Sequence, residues 1–396
     1  MATLDSAAPG YRDQTRPPPW RDVRVLRVFG QVLFLLLLFL LVRYLAGNLI
    51  ENARRVNLAL NFDYLKQPAG INIPDSPLRP TQAVREAVKY AFLNTIRMAG
   101  VGVVLATVLG TVMGVARLST NFLVRKTAAV YVETLRNVPV LLWIIFFFLA
   151  VVLKLPPISA AAKFLDLIIL SNRGLNLPWG EGQANNGTFI LLLAAGLVLA
   201  VAVAVWRTRR FDATGAPHRR VLYGLGVFAV VGTLSYVALS APVTLTTPSL
   251  DGRVVTGGIR LSAAYSSALI ALVVYTGSHI AEIVRGSIQA VPKGQTEAAY
   301  SIALTGFQRL RYVVLPQALR VAIPPFGNQA LNLTKNTSLA LVVTYPELLQ
   351  VTQNFIANGA PAPPSYVVMM GLYLSLSLSI SLVVNVINRG LAVGSR

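Results

Sequence analysis

Long uninterrupted runs of apolar residues, each about the length of a membrane span, dominate this chain. They do not alternate apolar and polar positions, so they predict helices and not barrel strands. Eight spans are expected, at 28–46, 91–116, 130–153, 188–206, 221–240, 263–285, 322–345 and 366–388. The first is centred on Leu35 to Leu38 and is expected to stay as an uncleaved helix, because its polar leader is long and no clear small-x-small site follows. The second is rich in Gly and Ala, with Gly100, Gly102, Gly110 and Gly114, a spacing that lets helices approach closely in lipid. Pro139 falls near the start of the third, which also carries Phe146-Phe147-Phe148.

The polar breaks predict the orientation. Basic residues gather in the 1–27 tail (Arg12, Arg16, Arg21, Arg24, Arg27), at Arg117, Arg125 and Lys126, at Arg207, Arg209, Arg210, Arg219 and Arg220, in 286–320, and at Arg389 and Arg396. The break between the last two spans has no Lys or Arg. This bias places both termini in the cytoplasm. The polar segment 47–90 fits least well, but long segments follow the rule less strictly. The organisation read from these breaks is a basic tail at 1–27, a first helix with an outer segment at 28–90, and helices over 91–153. An insertion at 154–262, with a Pro/Asn/Gly-rich loop and two helices, separates these from 263–390; residues 391–396 end the chain.

Composition narrows the class. The 396 residues are 55% hydrophobic and 13% charged, with mean hydropathy +0.61, against about 25% charged in soluble domains. The protein is therefore expected to be integral to the membrane and all-α. A net charge of +20 fits the inward positive bias and contact with anionic membrane lipid. It does not point to nucleic acid, because the basic residues are scattered among loops. There is no cysteine, which excludes disulfides and thiolate chemistry. His218 and His279 lack spaced partners for a metal, and no cofactor is expected. No Gly-x-x-x-x-Gly-Lys-Ser/Thr loop is present to cradle ATP phosphates. No catalytic constellation has convincing spacing either, so the chain itself is not read as an enzyme.

One charged loop, 286–320, stands apart. Pro292 and Gly294 are expected to break the preceding helix, with a short helix starting near Gln295 or Thr296 and ending at Gly306. Its Glu297-Ala298-Ala299 and Ala303 give a face of little bulk that suits a partner's groove, and Leu315-Pro316 is expected as a stop. This pattern resembles the EAA loop of ABC importer permeases. Neighbouring motifs sharpen the likeness: Ala281 to Gly286, Val291 to Gln295, Leu315 to Ala318, Asn332 to Leu339, Asn94-Thr95-Ile96-Arg97 and Tyr131 to Val140. Together they resemble the polar amino-acid subfamily, over 91–153 and 263–390. The extra first span and the insertion are similar to the larger subunit of general L-amino-acid importers (Aap/Bzt-like). That resemblance implies a type I permease core of five helices plus three extra ones. It also implies separate ABC ATPase subunits, a periplasmic amino-acid-binding protein and a second permease subunit as partners, and an L-amino acid as substrate. Ala303 departs from the family's usual Gly. Because Ala takes positive φ with difficulty, a slightly different turn is expected there.

Charged and polar residues inside the spans are costly and usually face a bundle interior or a water-filled path. Glu133 and Arg136, with Asn137 beside them, lie near one end of the third span, and Glu282 and Arg285 near one end of the sixth. Both pairs are spaced i,i+3, so each is either an ion pair holding its helix or part of a substrate path. In the path reading, Glu282 suits an ammonium and Arg285 or Arg136 a carboxylate. His279 lies one turn before Glu282 and is either packed or a proton switch. The cluster Thr334-Lys335-Asn336-Thr337-Ser338 predicts a break in the seventh helix beside the path. An ion- or proton-coupled secondary transporter using Glu133, Glu282, His279 and Lys335 is the alternative. It lacks the internal repeat that such folds show.

Overall fold

The computed structural model describes residues 20–74, 76–165, 167–214, 219–252 and 254–392. Residues 1–19 of the expected tail, His218 and 393–396 lie outside these. The first helix, α1 (Val23–Arg55), is capped by Asp22 and buries none of its apolar window. The outer segment then runs back to α2 (Val84–Ala116). The expected third span is a correction: its helix does not run from residue 130 to 153. α3 (Phe122–Arg136) and α4 (Val140–Phe146) meet at 103°. Pro139 removes an N–H and drives Val138 out of the helical region, so the chain must turn there. α4 continues as a π turn through Phe147–Val151.

The insertion is not all helix and loop. β1 (Ala162–Phe164), β2 (Ile168–Ser171), β3 (Gly174–Leu177) and β4 (Trp179–Gly182) precede α5 (Asn186–Thr214) and α6 (Arg220–Ala238), which pack on each other. β5 (Val243–Thr246), β6 (Ser249–Asp251), β7 (Val254–Thr256) and β8 (Ile259–Ser262) follow. β1, β2, β3 and β8 form an antiparallel sheet in that order, while β4 pairs with β5 and β6 with β7. These strands are three or four residues long, too short for a clear alternating pattern. The register Gly174↔Ser262 ties the insertion to the next helix, because the Ser262 Oγ also accepts the Tyr265 N–H and caps α7 (Ala263–Gln289).

α8 (Lys293–Ser301) and α9 (Gly306–Arg309) follow, and a π turn over Leu310–Val314 leads into α10 (Leu315–Asn336). Leu315-Pro316 is therefore not a stop. Pro316 sits in the first turn of α10, where its missing N–H costs little. The expected break after Thr334 is present as a change from α- to 3₁₀-geometry at Thr337–Val343. α11 (Leu348–Ala357) and α12 (Ala362–Ala392) complete the chain. Six helices among the described residues are long and apolar enough to span a membrane, or seven if α3 and α4 count as one. The expected eight spans included 322–345, and α10 is not among those six or seven.

Packing centres on α2 against α7. A Cβ on Gly110 would lie 2.6 Å from the Ile280 Cβ and 2.7 Å from the Gly277 carbonyl, and one on Gly114 would lie 2.6 Å from the Ala281 carbonyl. The two backbones touch, as small residues permit in lipid. Met98, Ile144, Leu272 and Leu333 fill the core around this seam. A second cluster, with Ile73, Val84, Leu348 and Phe355, closes the end where α2 begins. There Thr95 accepts the Leu348 N–H at 3.1 Å, the Asn94 amide donates to the Pro346 carbonyl at 3.0 Å, and Tyr345 donates back to the Asn94 carbonyl at 3.2 Å. Glu347 is fully buried and caps α11, accepting from the Gln350 N–H at 2.8 Å and the Tyr373 hydroxyl at 2.5 Å. Burial pushes this carboxyl above the ordinary carboxylate range, against those hydrogen bonds.

The seam makes a test. Gly114→Leu overpacks it and is expected to cost about 1–3 kcal/mol or more, seen as a lower melting temperature and loss of the monodisperse peak in detergent. Gly100→Leu, where an added Cβ meets nothing within 4 Å, is expected to leave both unchanged.

Candidate functional site

The charged loop folds as a helical hairpin. α8 begins at Lys293, two or three residues earlier than expected, with Pro292 as its N-cap. It ends in a two-bond C-cap: the Ala303 N–H donates to Tyr300 at 2.9 Å and the Leu304 N–H to Ala299 at 3.1 Å. Such a cap needs a left-handed residue, usually Gly, and Ala303 supplies it at φ 56°. The altered turn expected at Ala303 is therefore absent: this alanine takes the left-handed conformation. Gly306 does not end α8. Thr305 and Gln308 form a reciprocal cap that starts α9 there.

The hairpin is pinned at its base and open at its tip. Val291, Val314 and Ala318 bury together against Ile288, joining the end of α7 to the start of α10. The Gln317 amide donates to Gln295 at 3.3 Å and to the Val313 carbonyl at 2.9 Å. Ala299 is buried within the hairpin, so it is not on the open face; Glu297, Ala298 and Ala303 are exposed. Tyr300, Ile302 and Phe307 are 65–71% exposed. The Arg309 guanidinium lies 4.1 Å from the Tyr300 ring centre. An exposed aromatic and aliphatic tip on a polar loop is the composition of a contact surface.

Just before the hairpin, a charge cluster gathers in the last turns of α7. The Glu282 carboxylate receives hydrogen bonds from Arg117 and Arg285, and Arg136 stands 4.0 Å off. Arg285 also donates to Gln289 at 2.7 Å. Arg117 follows α2, Arg136 ends α3 and Glu282 belongs to α7, so the cluster clamps three elements. Three guanidinium groups around one carboxylate leave the clamp positive. Of the expected pairs, Glu282/Arg285 forms. Glu133/Arg136 does not, because Arg136 turns to Glu282 and Glu133 is exposed without an ion-pair partner among the described residues. Asn137 is exposed at the α3–α4 bend.

The remaining path candidates take no part in these ion pairs. His279 packs edge-on against Tyr275 at 4.8 Å, and its Nε2 is buried without a hydrogen-bond partner. Lys335 is exposed and shares a recess with Ser338 and Tyr373, while Thr337 is buried and donates to the Thr334 carbonyl at 2.8 Å. Arg117, which completes the clamp, read in the sequence only as an orientation signal. Tyr131, whose hydroxyl donates to the Val274 carbonyl at 2.8 Å, had no signal beyond its place in a motif.

The model of the binding-protein-dependent transport system inner membrane component family matches residues 106–393. This chain belongs to that family, among its amino-acid ABC transporter permeases. It is 35% identical to the general L-amino acid transport system permease protein AapQ of Rhizobium johnstonii, over 98% of this chain and 96% of that one. It is 34% identical to the putative amino-acid ABC transporter permease protein YhdX of Escherichia coli, over 92% and 94%. It is 33% identical to the glutamate/glutamine/aspartate/asparagine transport system permease protein BztB of Rhodobacter capsulatus, over 95% and 96%. The permease is thus an integral membrane transport protein matched along nearly its whole length.

Two outcomes test this geometry. Ala303→Gly relieves a left-handed alanine, worth roughly 1 kcal/mol, and is expected to slow tryptic cleavage of the hairpin about fivefold. Glu282→Gln leaves the three guanidinium groups unscreened and lowers the melting temperature. Adding Arg117→Gln recovers part of the loss, and a double-mutant cycle in melting is expected to give a coupling of about 1–2 kcal/mol.

Proposed function

We propose that this permease is the membrane-spanning subunit of an ATP-driven L-amino-acid importer of the bacterial inner membrane, with both termini cytoplasmic. The observation that carries this reading is the hairpin. Its tip exposes Glu297, Tyr300, Ile302 and Phe307, while its base is bolted to α7 and α10 through Val291, Val314 and Ala318. A separate ABC ATPase would grip the tip, and the bolted base would pass its movement to the bundle. An ATPase can shift the transporter between states only through contacts that differ between them, and the hairpin supplies such contacts. A periplasmic binding protein would deliver the amino acid to the opposite end, and a second permease subunit would complete the pathway. The relatives' names, which specify amino acids, support this substrate class.

The clamp at Glu282 supports a structural role for that residue more than capture of an ammonium, since Arg117 and Arg285 already occupy its oxygens. Nothing among the described residues favours the proton-coupled alternative: His279 Nε2 has no hydrogen-bond partner to pass a proton to.

Reconstitution of the complex with its ATPase and binding protein tests the proposal. Glu297→Lys is expected to lower ATP-dependent uptake of labelled L-amino acids about tenfold or more, and to lose the ATPase on co-purification, while the permease still reaches the membrane. Uptake that persists without ATP, or that follows a proton gradient and ignores the substitution, would overturn it.

A further inference from the structure

At the end of the bundle away from the hairpin, α2 carries a guanidinium that the account so far leaves unused. Arg97 is half-buried at the edge of the long apolar part of α2, with its guanidinium carbon 4.8 Å from the centre of the Tyr265 ring. Tyr265 is itself buried and packs on Tyr345 at 5.4 Å. Arg97 and Arg260, from β8, line one recess together with Asn94, Ser262, Tyr265 and Tyr345. Among the described residues neither arginine has a carboxylate within ion-pair distance; every such pair involves other residues. The neighbouring polar groups are committed: the Asn94 amide and the Tyr345 hydroxyl hold the bolt between α2 and the turn before α11. The contrast with the Glu282 clamp is direct, because there the guanidinium groups share an acid.

An arginine within a span is costly and needs an anion or a water-filled path. We propose that Arg97, with Arg260 beside it, forms a subsite for the α-carboxylate of the transported amino acid at the outer end of the permease. This rests on the amino-acid permease reading above and adds the group by which the substrate is held. A guanidinium fork matches a carboxylate in shape and charge. The recess is narrow, with room for about one water-sized group. It therefore admits no more than a carboxylate oxygen and leaves the rest of the substrate, side chain included, outside. A subsite of this kind reads what all amino acids share and discriminates little among side chains.

The absence of cysteine in this chain gives a clean test. Ser262→Cys puts one thiol in the recess, within a complex whose partner subunits are cysteine-free. Its rates of modification by the anionic sulfonatoethyl and the cationic trimethylammonioethyl methanethiosulfonates are compared, with L-glutamine or L-glutaminamide as protectant. The expected result is a preference for the anionic reagent of about fivefold, and protection by L-glutamine but not by its amide. Arg97→Gln removes both, and Arg97→Lys keeps the preference but loses protection. Equal rates, equal protection by acid and amide, or no effect of Arg97→Gln would overturn the proposal. So would protection that depends on phosphatidylglycerol in the nanodisc and not on L-glutamine, which assigns the recess to a lipid phosphate. The labelling needs neither ATP nor the binding protein. If carboxylate protection persists while uptake proves independent of ATP, the importer reading fails and the subsite stands.

Discussion

The contact on which the rest of this permease depends is the close approach of α2 and α7 at Gly110 and Gly114. There the helices meet backbone to backbone, with no room for a Cβ. In lipid, helices gain little from burying apolar surface against each other, so packing density and interhelical polar contacts hold the bundle. The glycine seam provides the first. It brings Arg117, just past the end of α2, within reach of Glu282 on α7, which provides the second. The same seam fixes the course of α7, whose two ends hold the features of interest: the sheet residue Ser262 at its start and the pinned hairpin after its finish.

The hairpin's mechanics follow from where it is soft and where it is stiff. Its base is a small apolar knot of Val291, Val314 and Ala318, and the link between its helices is capped on both sides, by the C-cap of α8 at Ala303 and the Thr305–Gln308 box that starts α9. Its continuation into α10 passes through a π turn and Pro316 without a loop. A load applied at the tip therefore meets helix and cap along the whole route into α10. In the proposed importer this stiffness is what allows movement of an ATPase to reach the bundle. At the opposite end, the hydrogen bonds from Asn94, Thr95 and Tyr345 hold the turn before α11 to α2, so each end of the bundle has its own lock.

Much of this was legible in the sequence. The apolar runs gave α1, α2, α5, α6, α7 and α12, because lipid imposes a length and a continuity that few other constraints produce. The order of the motifs gave the family, and the polar run from Thr334 gave the change of helix type at Thr337. What could not be read depends on contacts between distant segments. Pro139 was visible, but a right-angled bend needs the packing of α3 and α4 to declare itself. The β-strands of the insertion are too short for their alternation to show, and their pairing joins residues on both sides of α5 and α6. Arg117 looked like any basic residue after a span, and the partner that gives it meaning lies on α7. Ala303 shows the limit of propensity: the cap around it outweighed the preference of its own backbone.

The central claim is that the hairpin moves as one body with the bundle and carries ATP-driven movement into it. Spin labels at Ser301 and Thr120, both exposed, with a third in the matching loop of the second permease subunit, test it by pulsed electron–electron distance measurements in the nucleotide-free and ATP-trapped complexes. The account predicts that the Ser301–Thr120 distance stays fixed while the distance from Ser301 to the partner's loop shortens. A Ser301–Thr120 distance that shifts or broadens with ATP, while the loop-to-loop distance stays constant, would contradict it.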